Sequence, residues 1–168
     1  MNELLIPIGT VEIAATTTPF IACDHFVRNI EKNAPVKIFC LGNNFKEWFL
    51  GKTEAPFGGS TLRYGKPFRS LVDDPIIAEL GGNEKAETTL IELFLLMQAQ
   101  PNGKSGPLLT DNCANIFYIK DVSGVLRSVC VSWDVDGWYV FASAVTNQYE
   151  WNDDDQVFSR DSRSPSVA

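Results

Sequence analysis

Residues 115–145 have the sequence NIFYIKDVSGVLRSVCVSWDVDGWYVFASAV, and their pattern indicates the class of the fold. Three apolar runs, rich in β-branched and aromatic residues, are separated by the short segments 121–124 and 134–137. Each segment ends in glycine, which is typical of tight hairpin loops. Within the middle run, apolar and small polar residues alternate, as in a strand with one face on the core. These residues therefore predict a three-stranded antiparallel β-meander.

The segment before the meander predicts the main helix, over residues 84–100. Leu90, Leu93 and Met97 recur at intervals of three and four residues, which places them on one face of a helix. Asn83 is expected to cap this helix. A C-terminal antiparallel meander packed against one main helix, with shorter N-terminal strands and helices, is an α+β fold.

The N-terminal half predicts shorter elements, because glycines, prolines and polar runs interrupt its apolar stretches. Gly65 and Pro67 confine the strand-like run before them to a sheet edge or a loop, since proline cannot donate to a sheet ladder. The expected elements are strands at 4–15 and 36–41, short helices within 20–33 and at 45–50, a brief edge strand or loop at 61–64, and a helix capped by Asp74 that ends at Gly81-Gly82.

The chain length of 168 residues fits one domain, which we place at residues 1–158. Residues 159–168 contain four serines and no apolar residue larger than valine, so we expect a disordered C-terminal tail there. No apolar run approaches the ~20 residues of a membrane span, and Glu3 stands where a secretory signal carries positive charge. We therefore expect a cytoplasmic protein.

The formal net charge of −7 is unevenly distributed. Residues 111–168 hold nine acidic and four basic residues, which is −5 of that total. Nucleic-acid phosphates and anionic membranes are bound by clustered lysine and arginine, so we expect no direct nucleic-acid binding and no membrane binding. An acidic surface instead attracts basic proteins. The expected partner is therefore a basic protein, and the oligomeric state is left open.

The four cysteines and the single histidine offer one enzymatic hypothesis. Catalytic thiol chemistry needs an imidazole within hydrogen-bond reach of a cysteine. His25 is two residues from Cys23, and the fold could also bring it to Cys113. A thiol-dependent hydrolase or transferase that uses His25 with Cys23 or Cys113 is therefore the alternative function. We assign no catalytic residue from the sequence alone.

Metal and cofactor motifs are incomplete in this sequence. The four cysteines lack the short paired spacings of a structural zinc site. The segment from Asp134 resembles the start of a calcium loop, but its twelfth position is Val145 instead of glutamate. The glycines at 58–59 and 81–82 lack the lysine of a phosphate-binding loop. We therefore expect neither a metal nor a cofactor.

An aromatic and acidic cluster near the C-terminus predicts a protein-binding patch, made of Tyr149, Trp151, Asp153, Asp154 and Asp155. Tryptophan and tyrosine are frequent anchors of protein interfaces, and acidic rims steer basic partners. Trp151 is the expected exposed anchor. The alternative is a solvated loop that covers the edge of the sheet.

These observations favour a small acidic non-enzymatic protein-interaction module, of inhibitor, immunity or adaptor type, that binds a basic protein surface. Besides the thiol enzyme, a third hypothesis is a small-ligand sensor whose pocket lies between the helix at 84–100 and the meander. No motif in the sequence identifies a known family.

Overall fold

The protein was analysed as a computed structural model, which describes residues 3–161. Its strands are β1 (Leu5–Ile13), β2 (Phe20–Ile21), β3 (Ile38–Leu41), β4 (Thr53–Glu54), β5 (Ser60–Pro67), β6 (Glu87–Thr88), β7 (Asn115–Lys120), β8 (Leu126–Asp134), β9 (Gly137–Ala144) and β10 (Gln156–Arg160). Its helices are α1 (Ala22–His25), α2 (Asn43–Phe49), α3 (Asp73–Leu80), α4 (Asn83–Ala86) and α5 (Leu90–Ala99). None of the helices in this range has the length and apolar character needed to span a bilayer.

One large sheet runs in the order β1-β5-β10-β7-β8-β9-β3, and β6 also pairs with β7. The pairs β10–β7, β3–β9 and β6–β7 are parallel, whereas the other neighbours in this sheet are antiparallel. Strands β2 and β4 form a separate ribbon. The mixed α/β composition and the large, mostly antiparallel sheet agree with the predicted class. Strand β10, although the last strand within residues 3–161, lies in the interior of the sheet.

The strands predicted within residues 115–145 are present as β7, β8 and β9, and they pair in chain order. In the first turn, the Asp121 carboxylate accepts the backbone N–H groups of Ser123 and Val125 at 2.8 and 3.0 Å. Gly124 supplies the positive φ of 83° that this turn requires. Across the second turn, the rings of Trp133 and Trp138 lie 5.3 Å apart, edge to face. Both turns are therefore stabilised by local contacts.

The single helix predicted over 84–100 is wrong, because the chain is extended in its middle. Two residues, Glu87 and Thr88, pair with β7 and separate α4 from α5. Helix α5 has its own capping box, in which the Thr89 hydroxyl accepts the Glu92 N–H while the Glu92 carboxylate accepts the Thr89 N–H. Strand pairing and a new cap together end one helix and begin another.

Two cores cover opposite faces of β7, and the predicted packing of the meander against one main helix is not confirmed. Phe117 and Ile119 lie in the first core, which contains residues of α2 and α5. Ile116 and Tyr118 lie in the second core, which contains residues of α3 and α4. Side chains alternate between the faces of a strand, and helices are present on both sides of this one. Strand β7 is therefore buried on both faces.

Strand β5 is an interior strand, not the predicted edge strand or loop at 61–64. It lies between β1 and β10. At Gly65, a Cβ atom would stand 2.6 Å from the carbonyl oxygen of Ile6 on β1, so glycine permits the close approach of the two strands. Pro67 is tolerated because the pairing of β5 with β10 ends at Gly65, so that Pro67 has a partner only in β1.

The predicted C-terminal tail begins too early at residue 159. Ser159 and Arg160 belong to β10, and Ser159 is buried. The two residues pair with Arg63 and Leu62 of β5, and this backbone pairing outweighs the polar composition of the segment. The remainder of the predicted tail, from 162 to 168, lies outside the described residues.

Candidate functional site

The residues predicted to bind a partner lie in the segment that joins β9 to β10, which we call the crossing segment (residues 145–155). Because β10 lies beyond β8 and β7, this segment must cross both strands to reach it. Trp151 marks the face on which it crosses, since this residue packs in the second core. Trp151 also forms an antiparallel bridge with Leu71, through backbone hydrogen bonds of 2.8 and 2.9 Å. The crossing segment is therefore fixed to the chain before α3.

Trp151 is not the exposed anchor that the sequence predicts, because only 7% of it is accessible. Its indole N–H donates to Asp73 Oδ1 at 2.8 Å, and the Tyr118 hydroxyl donates to the same oxygen at 2.7 Å. A buried indole is favourable when its N–H finds such a partner. Asp73 begins α3, and its carboxylate makes these two bonds instead of capping the helix. The predicted start of this helix, with Asp74 as the cap and Pro75 as the first helical residue, is accordingly two residues late, because Val72 is the N-cap and Asp73 begins the helix.

Tyr149 is the exposed aromatic residue of the crossing segment, with 62% of its surface accessible. Its ring stands edge-on against that of Trp151, with the centroids 5.2 Å apart. Its backbone N–H donates to the side-chain oxygen of Asn147 at 3.1 Å. Tyr149 thus projects from a buried base, which limits the conformations it can adopt.

The three aspartates have two different roles. Asp155 is buried, and its carboxylate accepts the N–H of Ala114 at 2.9 Å and the N–H of Asn152 at 3.0 Å. It therefore organises the backbone where the crossing segment meets β10. Asp153 and Asp154 are exposed and leave their carboxylates in solvent. Of the five predicted residues, Tyr149, Asp153 and Asp154 present side chains at the surface, whereas Trp151 and Asp155 support them.

A cavity of about 400 Å³ lies between the crossing segment and the sheet. The residues that line it are mostly polar, but they include two free thiols and two aromatic rings. They are Asn112, Cys113, Ala114, Cys130, Ser132, Ser143, Asn147, Tyr149, Trp151, Asn152 and Asp155. The predicted binding residues Tyr149, Trp151 and Asp155 thus share one cavity with the candidate thiol Cys113.

The thiols in this cavity are held in their neutral form. Burial, together with Asp111 and the charges of Asp155 and Asp154, raises the pKa of Cys113 to about 11. Burial and the charge of Asp155 contribute to raising the pKa of Cys130 to about 12. A nucleophilic cysteine requires the opposite shift, which basic neighbours produce. Burial and the acidic surroundings therefore disfavour a reactive thiolate.

His25 does not meet Cys113 in this fold. Its ring stacks on Phe20 at 4.5 Å and contacts Phe94 at 5.0 Å, and both phenylalanines belong to the first core. Cys113 lies with Trp151 on the opposite face of the sheet. The other candidate, Cys23, is two residues from His25 on α1, where side chains two positions apart diverge by about 200°. Neither predicted thiol–imidazole pair is assembled.

The space between α5 and the meander, where the ligand-sensor hypothesis places its pocket, is filled by core side chains. Within residues 3–161, no group of three or more histidine, cysteine, aspartate or glutamate side chains is placed to hold a metal ion. Between α5 and the meander, buried side chains such as Leu93, Met97, Phe117 and Val129 form the first core, at the place where a sensor pocket was expected. A second cavity, of about 360 Å³, lies elsewhere, between β1, β5 and the end of α3.

An aromatic strip was not predicted from the sequence. It lies on the same face of the sheet as the crossing segment. It consists of Phe39 on β3 and of Tyr139 and Phe141 on β9, and all three side chains are partly or largely accessible. The alternation within β9 was a usable signal, because Trp138 and Val140 are buried in the first core and the residues between and after them point away from it. The contribution of Phe39 required knowledge of the parallel pairing between β3 and β9.

Comparison with known protein families, with curated proteins and with solved structures finds no match to this chain. Function must therefore be inferred from the chemistry of the crossing segment, its cavity and the neighbouring sheet face.

Proposed function

We propose that this chain is a non-enzymatic protein-interaction module, of inhibitor, immunity or adaptor type, that binds a basic protein surface through Tyr149 and the exposed acids beside it. The observation that carries the proposal is the placement of Tyr149, an exposed aromatic side chain that stands on the buried ring of Trp151 in the same short segment as the exposed Asp153 and Asp154.

The rigidity of the crossing segment supports this proposal. Its middle is fixed by the Leu71–Trp151 bridge and by the Trp151–Asp73 hydrogen bond, and its end is fixed by the buried carboxylate of Asp155. Binding orders side chains and loops at a free-energy cost of about 0.5–1.5 kcal/mol for each side chain immobilised. Much of that ordering is already present here, so more of the contact energy is available as affinity.

The distribution of charge supports a basic partner. Glu150, Asp153 and Asp154 are exposed in the crossing segment, and Asp111 is exposed next to Cys113. Such a group of carboxylates raises the association rate of a positively charged protein and repels nucleic acid. An aromatic anchor among acids resembles the arrangement of interface hot spots, in which tyrosine supplies contact area and the rim supplies charge complementarity.

The state of the thiols supports a non-enzymatic role over the thiol-enzyme hypothesis. The pKa values of Cys113 and Cys130 are raised to about 11 and about 12, so both thiols are protonated near neutral pH. The only histidine of the chain, His25, is exposed and stacks on Phe20 of the first core, on the other face of the sheet from both thiols.

The test is affinity capture from host lysate with point variants of the full chain. Truncation after Val145 would remove β10 from the middle of the sheet, so it would confound binding with unfolding. The site variants are Tyr149→Ala and the double charge reversal Asp153→Lys with Asp154→Lys. Their matched controls are Ile21→Ala, at an exposed apolar residue of the separate β2–β4 ribbon, and Glu31→Lys with Glu47→Lys, which changes the net charge equally at other exposed positions.

We expect a basic protein that is captured by the wild type and by both controls and is lost from both site variants. Its retention should fall at high salt, because exposed charge pairs are screened by salt. Capture that is the same with the site variants and with the controls contradicts the proposal. Loss of the partner from the charge-matched control as well would show that only net charge matters, which also contradicts it.

A further inference from the structure

The aromatic strip lies on a part of the sheet that the crossing segment and α3 leave uncovered. On β7, the same face carries Ile116 and Tyr118, which are buried in the second core. On β9, the same face carries Tyr139 and Phe141, and 40% of Phe141 is accessible. Residues that stand opposite each other on paired strands share a face, so burial decreases across the sheet from β7 to β9.

The three rings of the strip are close enough to act as one surface. Phe39 sits where the pairing of β3 with β9 shifts register, and its ring stacks on Tyr139 with the centroids 5.0 Å apart. Tyr139 and Phe141 are next-but-one neighbours on β9, with ring centroids 6.3 Å apart. A Cβ atom at Gly42 would come within 2.5 Å of the Phe141 ring, so that ring lies directly over backbone. The strip is thus a packed but partly accessible apolar surface.

The strip already receives one guanidinium group from within the chain. The Cζ atom of Arg28 lies 5.4 Å from the centroid of the Phe39 ring, within the range of a cation–π contact. The accessible rings of Tyr139 and Phe141 offer the same electron-rich surface, so they can accept a further guanidinium group from outside.

Acidic residues border the strip at the turn between β8 and β9. Asp134 and Asp136 are both exposed. Desolvation, and after it the negative charges of these two aspartates, raise the pKa of Tyr139. At the other side, Ser132 and Ser143 belong to this face of the sheet and also line the cavity beside Tyr149. The strip, the cavity and the Tyr149 patch therefore form one continuous face.

We infer that this strip is a second contact surface for the same basic partner, in which arginine side chains of the partner stack on Tyr139 and Phe141 while Asp134 and Asp136 supply the counter-charge. The inference rests on the proposed function, because it specifies the chemistry of that partner. Arginine is preferred to lysine because its planar, weakly hydrated guanidinium group can stack on a ring and bind a carboxylate through two hydrogen bonds at once.

The probe is a pair of end-capped peptides, Gly-Arg-Gly-Arg-Gly and Gly-Lys-Gly-Lys-Gly, titrated into the full chain while aromatic NMR signals are recorded. The arginine peptide should shift the Tyr139 and Phe141 signals saturably, with an affinity about threefold or more above that of the lysine peptide. Equal effects of the two peptides at equal charge, or shifts confined to residues outside the strip, would overturn the inference.

Variants that keep the apolar area separate ring chemistry from folding. Tyr139→Leu with Phe141→Leu should weaken arginine-peptide binding by about threefold to tenfold, because it removes two cation–π acceptors. Phe68→Leu is the matched control, at an exposed aromatic residue that follows β5, and it should leave the peptide titration unchanged, because β10, β7 and β8 separate β5 from β9. Unchanged backbone amide spectra verify that each variant is folded. Full affinity in the double variant contradicts the inference.

The peptide experiment also separates this inference from the proposed function. If the peptide binds the strip but Tyr149→Ala keeps its captured protein, the proposed function fails and the arginine site remains. If Tyr149→Ala loses its partner but the peptide leaves the strip unperturbed, the proposed function stands and the inference fails.

Discussion

At the scale of single residues, Asp73 connects the second core to the candidate site. One of its carboxylate oxygens accepts hydrogen bonds from both Tyr118 and Trp151. Burial raises the pKa of Asp73 above its usual 3.8, and the two hydrogen bonds offset only part of that shift. A buried charge thus holds Trp151 in place, and Trp151 in turn supports Tyr149.

The variant Asp73→Asn is expected to be at least as stable as the wild type near pH 7. An amide oxygen can accept both hydrogen bonds without a buried charge. Because the folded-state pKa of Asp73 is raised, the stability linked to its protonation is fully present below about pH 3.8 and is lost as the pH rises through the folded-state pKa. In urea unfolding between about pH 4 and pH 7, the free energy of unfolding of the variant should therefore increase relative to that of the wild type as the pH rises.

The comparison variant for this experiment is Asp73→Ala. It leaves the hydroxyl of Tyr118 and the indole N–H of Trp151 without an acceptor, so we expect a loss of about 2 kcal/mol or more in the free energy of unfolding. If the free energy of unfolding of the wild type instead increases relative to that of Asp73→Asn as the pH rises, the raised pKa of Asp73 is contradicted.

At the scale of elements, the start of α5 shows how tertiary contacts divide a predicted helix. The first two N–H groups of the helix, on Leu90 and Ile91, donate to the two oxygens of Glu54 at 2.9 and 3.0 Å. The N–H of Glu92 is satisfied by Thr89. Free N–H groups at a helix start are unfavourable when buried, and here a carboxylate from another element and a capping box provide their partners.

We expect Thr89→Ala to lower the free energy of unfolding by about 1 kcal/mol, because the Thr89 hydroxyl caps α5. The control is Asn83→Ala, which alters the cap that the sequence predicts for a continuous helix. Asn83 makes no side-chain cap in the structure, since Gly82 precedes the first turn of α4. Urea midpoints measure both effects. A larger loss from Asn83→Ala than from Thr89→Ala would contradict the divided helix.

The elements that could be predicted from the sequence depend on neighbours close in the chain. Alternating residues and glycine turns identify β7, β8 and β9, because hairpin partners are separated by a few residues. The break between α4 and α5 could not be predicted, because Thr88 is held by pairing with Ile119, a distant residue. The interior position of Gly65 could not be predicted either, because its close neighbour Ile6 is also distant in the sequence.

In the candidate site, too, some placements could be predicted from the sequence and others could not. Tyr149, Asp153 and Asp154 could be predicted as surface residues because their types favour interfaces or solvent, and they are exposed. The burial of Trp151 could not be predicted, because its hydrogen-bond acceptor is Asp73, 78 residues earlier in the chain. The contact between Phe39 and Tyr139 also depends on the parallel pairing of β3 with β9, which no local sequence pattern predicts.

At the scale of the whole molecule, β10 joins two halves of the sheet. It pairs with β5 on one side and with β7 on the other. Phe158 in its centre is fully buried, and its ring stacks on Tyr64 of β5 at 5.0 Å and on Phe117 of β7 at 4.7 Å. The strand order therefore makes β1 and β5 depend on β10, and the crossing segment can hold Tyr149 only if β10 is in place.

The last prediction tests this dependence with Phe158→Ala. Deleting a buried phenylalanine side chain costs about 3–5 kcal/mol, so the variant should be strongly destabilised. Its unfolding should remain a single transition in which tryptophan fluorescence and far-ultraviolet circular dichroism coincide, because Trp138 and Trp151 report on the two cores that share this sheet. The control Phe68→Ala, at a residue that is 64% exposed, should change stability by less than about 0.5 kcal/mol. Two separate transitions in Phe158→Ala would show instead that parts of the sheet unfold independently, which contradicts the dependence on β10.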